Sequence, residues 1–425
     1  MPIEISDRFP RYTDFDPAVP VWCITPDAPR TIHRFFDTSP ISPSGRYAAL
    51  TRLPYEDRLP APGDEAEVVV VDLGGGAERV VARTRGWDTQ LGANVQWGAS
   101  DSELFFNDVD TSDWRAYGVV LDPETGERRE LGGTVYMVSP DGAAVASQCL
   151  LRNAKTQAGY GVVVPPDAVP VNSGASDDDG LYVTRVDSGE VKLVASFARI
   201  FEEAFSPAER DLCLADPCGA LYGAHVKWNP QGTRIMFVLR WHPSETADGD
   251  ISGIRPSLVT MRPDGGEISM AIPAATWALG GHHPNWCPDG EHALMNLRLH
   301  GAGTEMLFVR CRFDGEGLSA FTEAVPGSGH PSLHPGARHM VTDGMREGAP
   351  ERVDGPDRIR LVDVEAGTEK VVARVPIDPE FPGPRRELRI DPHPAWSRDF
   401  ARIAFNGHRE GTRRVFVADL SSEVG

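Results

Sequence analysis

One motif recurs seven times along the chain: a short apolar stretch, a turn of the type S-P-D-G, and a second apolar stretch. The copies read TSPISPSGRYAALTR from Thr38, NVQWGASDSELFFN from Asn94, VYMVSPDGAAVASQ from Val135, HVKWNPQGTRIMFVLR from His225, HPNWCPDGEHALMNLR from His283, HPSLHPGARHMVTD from His330 and HPAWSRDFARIAFN from His393. Each predicts a β-hairpin, because Pro, Asp and Gly supply the turn angles and β-branched or aromatic residues flank them. A second hairpin follows each of the first six copies, as in VVVVDLGGGAERVVA from Val68, YVTRVDSGEVKLVA from Tyr182 and RLVDVEAGTEKVVA from Arg360. Two hairpins make four antiparallel strands. Seven such units, at intervals of roughly 40–60 residues, describe an all-β, seven-bladed β-propeller.

The seventh unit holds only three strands of its own, HPAW, ARIAFNG and RRVFVADL. The apolar segment VWCIT, residues 21–25, is the one available to supply the fourth. Closing the ring in this way removes two exposed sheet edges. Residues 1–425 thus read as a single propeller. The loop-rich stretch at about 153–180 is an insertion between the second and third strands of blade three, and 199–212 predicts a short helix.

Composition narrows the function. The 43 Gly and 36 Pro demand many turns and argue against a helical bundle. With 42 basic against 62 acidic residues the formal charge is −20, which disfavours nucleic acid or an anionic membrane as the partner. No apolar run is long enough for a transmembrane helix, and MPIEISDRFP lacks the basic and apolar regions of a secretory leader. Six cysteines form no disulfide framework, and the C-x4-C of Cys213 and Cys218 reads as two free thiols. The expectation is a cytoplasmic, reduced protein.

Three positions before the residue that precedes the turn, usually Trp, blades four to seven carry His225, His283, His330 and His393, although only 12 of 425 residues are His. The first strand of each propeller blade lines the central channel, so equivalent positions form a ring at one end of it. Four imidazoles from adjacent blades make a site for a divalent ion such as Zn, Mn, Fe or Ni. The alternative is that each His packs against its own blade's Trp; His282 and His334 are neighbouring candidates. The second strand ends on the same face, because it runs antiparallel to the first. That face then carries Arg52, Arg152, Arg240, His242, Arg298, His300, Arg346 and Arg409. Arg240-Trp241-His242 stands out, since it joins a guanidinium, an aromatic platform for a sugar face and an imidazole. The 153–180 loop leaves from this face and brings Tyr160.

The hairpin and strand of HPAWSRDFARIAFNGHREGTRRVFVADL, residues 393–420, resemble the TolB-type propeller repeat. GHHPNWCPDG (281–290) and GHPSLHPGARHMVTDG (329–344) are similar to the histidine-bearing blades of oligogalacturonate lyases. That resemblance implies a divalent metal, typically manganese, held by several His and one Gln, and β-elimination by a catalytic His and an Arg. No Gln stands between Gly327 and His334; the family's catalytic His would fall near Leu239 or Arg240, and His242 is the nearest. The expected assignment is metal on His225, His283, His330 and His393; catalysis by Arg240, for the carboxylate, and His242, as base; and substrate contacts from Arg52, Trp241, Arg298 and Tyr160. The expected substrate is an acidic, uronate-containing oligosaccharide. The alternatives are a non-catalytic scaffold that binds a protein, and a metal-dependent hydrolase or lactonase on the same frame.

Overall fold

The computed structural model describes residues 4–301, 303–344, 356–377 and 382–425. They form seven four-stranded antiparallel sheets arranged as a ring. Blade one runs from Thr31–Ile32 to Ala77–Thr84, and blades two to six follow in chain order. Blade seven takes Ala395–Trp396, Arg402–Arg409 and Thr412–Asp419, and its outer strand is Val21–Cys23, paired as Val21↔Ala418 and Cys23↔Phe416. The N-terminal strand therefore closes the ring as the sequence predicts.

Why these residues make blades is visible in blade one. The run Val68–Val71 is buried on both faces, as a strand packed between two sheets must be. Strand alternation sends Val68 and Val70 against Phe106 and Val119 of blade two, and Val69 and Val71 against Val415 and Val417 of blade seven. The same sharing repeats around the molecule, so the core is a set of apolar layers between neighbouring blades. At the hairpin turns Gly142 and Gly290 take φ of 73° and 69°, angles open to glycine without a Cβ penalty.

Two recurring polar contacts hold neighbouring blades in register. The turn Trp donates its indole N–H to the inner strand of the preceding blade: Trp97 to Pro40 O, Trp228 to Met137 O, Trp286 to Lys227 O and Trp396 to Ser332 O. An Asn on the second strand reaches forward: Asn107 pairs with both backbone groups of Val135, Asn296 donates to Gly329 O, and Asn406 accepts from His33 N. Each satisfies a backbone group that would otherwise be buried without a partner.

The stretch between Ala144–Ser147 and Gly180–Arg185, the second and third strands of blade three, holds the short helical turns Leu150–Arg152, Asn153–Thr156 and Pro166–Ala168. The single helix predicted at 199–212 is two helices, Phe197–Ala204 and Pro207–Leu214. They separate at Ser206, which forms a capping box with Glu209, and Pro207 stands where a helix starts rather than continues.

Candidate active site

Blade one departs from its repeat at the centre of the molecule. Its inner strand pairs at Thr31–Ile32 and again at Ile41, and the chain between them, His33-Arg34-Phe35-Phe36-Asp37, runs into the channel. The segment reaches several other blades. His33 N bonds Asn406 of blade seven, and Arg34 Nε donates to Asn94 of blade two. Asp37 pairs with Arg34 at 3.0 Å and with Lys227 of blade four at 3.2 Å. Phe35 and Phe36 both lie under the Lys227 ammonium, 4.9 and 4.0 Å from it. Burial draws the Lys227 pKa down to about 8 against the opposing pull of Asp37. Asp37 is held below the ordinary carboxylate range, because Lys227 and Arg34 outweigh its burial. The segment plugs the channel with paired charge and two aromatic rings.

Above the plug the histidines meet. The rings of His283 and His330 stack 3.8 Å apart, and His330 and His393 stand 4.4 Å apart, edge to face. His225 does not join them. Phe35 lies between, stacked on His225 at 5.2 Å and 4.6 Å from His393. The expected four-His ring is thus three imidazoles and a separate fourth, divided by a side chain from blade one. His283 and His393 take φ of 55° and 50°. Both precede proline, which favours extended backbone, so the site holds its imidazoles with local strain.

Two carboxylates complete the group. Asp343 is fully buried; it accepts the His330 backbone N–H at 2.7 Å, the His330 ring Nδ1 at 2.8 Å and the His393 N–H at 3.3 Å. Burial would raise its pKa, but His330 and these N–H donors outweigh burial and hold it below the usual range. Asp343 therefore sets which nitrogen of His330 faces inward, and Nε2 is that nitrogen. Asp391 brings a carboxylate into the same space: ligand atoms of His330, Asp391 and His393 lie within 4.8 Å of one another. His330 Nε2 and both ring nitrogens of His393 are buried with no hydrogen-bond partner among the described residues. Burial keeps His283 and His393 well below the ordinary imidazole pKa, hence neutral with a lone pair to give. Bonds of about 2.1 Å let ligand atoms stand about 4.2 Å apart, so the group needs only a small approach to hold a divalent ion. Its mixed nitrogen and oxygen donors suit Mn, Fe, Zn or Ni.

A cavity of about 1080 Å³ opens beside this group. His225, His283, Tyr160, Arg240 and Arg389 line it, together with Lys227 and Asp391. Its walls also come from the blade four loop around Gly249 and from the 382–392 segment, which brings Arg385 and Arg386. The first part of the insertion is tied to the blade four loop by Ala158 N to Gly249 O and Gly249 N to Lys155 O. Arg240 donates to Gln157 Oε1 at 2.6 Å, and burial brings its pKa down to about 10. Tyr160 accepts from Arg389 at 2.9 Å, and Arg389 also donates to Asp391 at 2.9 Å. Burial lifts the Tyr160 pKa, with Arg389 opposing it. Five cationic side chains, Lys227, Arg240, Arg385, Arg386 and Arg389, face three carboxylates, Asp250, Asp357 and Asp391.

Several expected contacts are not made. Trp241 follows Arg240 on the same strand, so its side chain points to the opposite face and packs in the layer between blades with Phe201. It offers no platform to the cavity. His242 is 4% exposed, stands against Tyr222 and is not among the lining residues. Arg52 is committed to Glu67 and Glu78 at 2.6 and 2.5 Å on the outer strands of blade one. Arg298 donates to Thr304 O on its own hairpin, Arg152 pairs with Asp179, and Arg409 pairs with Asp14. Arg346 lies outside the described residues.

No protein-family model matches the chain, and no curated protein matches it. Solved structures do. An oligogalacturonate lyase in complex with manganese aligns over 99% of this chain and 96% of its own, at 16% identity and a TM-score of 0.63. An oligogalacturonate lyase from Vibrio parahaemolyticus aligns over 98% of this chain and 97% of its own, at 14% identity and a TM-score of 0.65. The tricorn protease matches 89% of this chain with 38% of its own, at 9% identity and a TM-score of 0.51. The fold of this chain is thus that of the oligogalacturonate lyases, with which it aligns over nearly its full length.

Proposed function

We propose that the protein is a metal-dependent lyase that cleaves uronate-containing oligosaccharides by β-elimination. The observation that carries this reading is the pairing of an inward-facing His330, His393 and Asp391 with a cavity rich in guanidinium groups, in a chain of net charge −20. A pocket lined by five cationic side chains against three carboxylates favours an anionic ligand, and planar guanidinium groups suit its carboxylates. That two oligogalacturonate lyases share the fold, one of them described in complex with manganese, agrees with this reading.

Elimination from a uronate requires the C5 proton to become acidic, a base to take it, and the departing oxygen to gain a proton. His330, His393 and Asp391, with His283 alongside, would hold the ion. When bound, a divalent cation supplies Lewis-acid stabilisation of the charge that builds on the uronate carboxylate. Arg240 orients that carboxylate, itself held by Gln157 and by Thr156 at 3.3 Å. Arg389 keeps Tyr160 and Asp391 in place from one guanidinium.

The test is to purify the protein, determine its metal content and incubate it with a panel of oligouronides while following the ultraviolet absorbance of the unsaturated product. Lyase activity that is lost on chelation and restored by manganese is the expected result. Full metal occupancy with no unsaturated product from any uronide refutes it.

A further inference from the structure

We propose that His225 is the Brønsted base that removes the C5 proton, with Tyr136 as the residue that positions it. This rests on the lyase reading above. The imidazole stands on the inner strand of blade four and lines the cavity. It is held from three sides. The Tyr136 hydroxyl lies 2.5 Å from Nδ1, the Phe35 ring stacks parallel to it at an interplanar angle of 8°, and Tyr160 meets it edge-on at 6.1 Å. For Nε2 to be the base, the neutral ring carries its proton on Nδ1 and donates it to the Tyr136 hydroxyl oxygen, which leaves the Nε2 lone pair for the cavity. A histidine held in one orientation by these contacts meets the geometric requirement for a general base.

Position relative to Arg240 strengthens the assignment. In a uronate the carboxylate carbon is bonded directly to C5, so the base must stand beside the group that holds the carboxylate. His225 pairs with Val238 and Tyr222 with Arg240 on adjacent strands of blade four, and His225, Val238 and Arg240 all line the same cavity. His242, two residues beyond Arg240, is shut away against Tyr222. Phe35 separates His225 from His393, so His225 is left for proton transfer rather than for holding the ion.

In the step itself the C5 proton passes to His225 Nε2. The C5–H electron pair becomes the C4=C5 double bond. The C4–O4 bond breaks, its pair leaves on O4, and O4 takes a proton from water. His225 then returns its proton to solvent, so the enzyme ends as it began.

The experiment compares the metal-loaded wild type with His225→Ala, His225→Gln, His242→Ala and Tyr136→Phe. Product formation, metal content and thermal melting are read for each. His225→Ala and His225→Gln should lower kcat by about 10²–10⁴-fold, the usual contribution of general-base catalysis. Metal content should stay at the wild-type level, and added imidazole should restore part of the His225→Ala rate. Tyr136→Phe should lower kcat and leave KM in place. Loss of the ion from either His225 variant, or a larger loss of kcat in His242→Ala than in His225→Ala, overturns this assignment alone. A wild type that yields no unsaturated product from any oligouronide overturns the lyase reading and the assignment together.

Discussion

Replacing Asp343 by Asn separates the requirements of the fold from those of the metal group. Asp343 stands on the second strand of blade six, and its two oxygens serve the His330 N–H, the His330 ring and the His393 N–H. Blades two, five and seven use Asn107, Asn296 and Asn406 to tie their second strands to the next blade. An Asn at 343 can therefore keep a backbone contact, and the propeller should fold. What it loses is the charge that orients His330. Removing such an outer partner of a ligating His typically costs 10–100-fold in metal affinity. At about 1.4 kcal/mol per tenfold this is roughly 1.4–2.8 kcal/mol. Asp343→Ala should do more, since it leaves buried donors without an acceptor, at about 1–3 kcal/mol each. The assay is a metal titration by calorimetry alongside thermal melting. Asp343→Asn should bind the ion 10–100-fold more weakly and melt near the wild type, while Asp343→Ala should also melt lower. Unchanged affinity in Asp343→Asn would refute the role given to the carboxylate.

Other perturbations test the surroundings. Lys227→Met leaves Asp37 buried with Arg34 as its remaining cation, and breaking a buried pair on one side costs about 3–5 kcal/mol. Lys227→Met with Asp37→Leu should recover part of that loss in denaturant melts, and additivity of the two single losses would contradict the pairing. Asp88 is buried and accepts N–H donors from Gln90, Leu91 and Gly161; burial outweighs them and lifts its pKa to about 7. The folded chain thus binds a proton that the unfolded chain releases. This contribution to stability is full below the unfolded pKa of 3.8 and is lost as pH rises through about 7. The stability advantage of wild type over Asp88→Asn should accordingly shrink from about pH 4 to about pH 7. A gap that widens with pH would contradict it.

The fold is legible in the sequence because its signals are local. Turn residues and twofold alternation mark each hairpin, and the spare strand 21–25 is marked by the missing fourth strand of blade seven. The site is legible only in part. His283, His330 and His393 share one register and meet, since equivalent residues of neighbouring blades lie on one ring. The separation of His225 depends on Phe35, which leaves the inner strand of blade one, and no spacing in His33-Arg34-Phe35-Phe36-Asp37 announces that excursion. Trp241 could have been excluded from the cavity by alternation alone, given Arg240 inside it. His242 could not, because alternation puts it on the same face as Arg240 and its burial depends on the Tyr222 side chain of the neighbouring strand. Asp343 and Asp391 carry no signature that distinguishes them from other strand-end acids until the chain is folded around the histidines.

The account stands on one ion held by His330, His393 and Asp391 beside the basic cavity. Metal analysis of the wild type against His330→Ala and His393→Ala, with melting curves to confirm folding, tests this most directly. One divalent ion per wild-type chain and its loss from both folded variants is the predicted result. A folded wild type that takes up no divalent ion, or variants that keep it, would contradict the account.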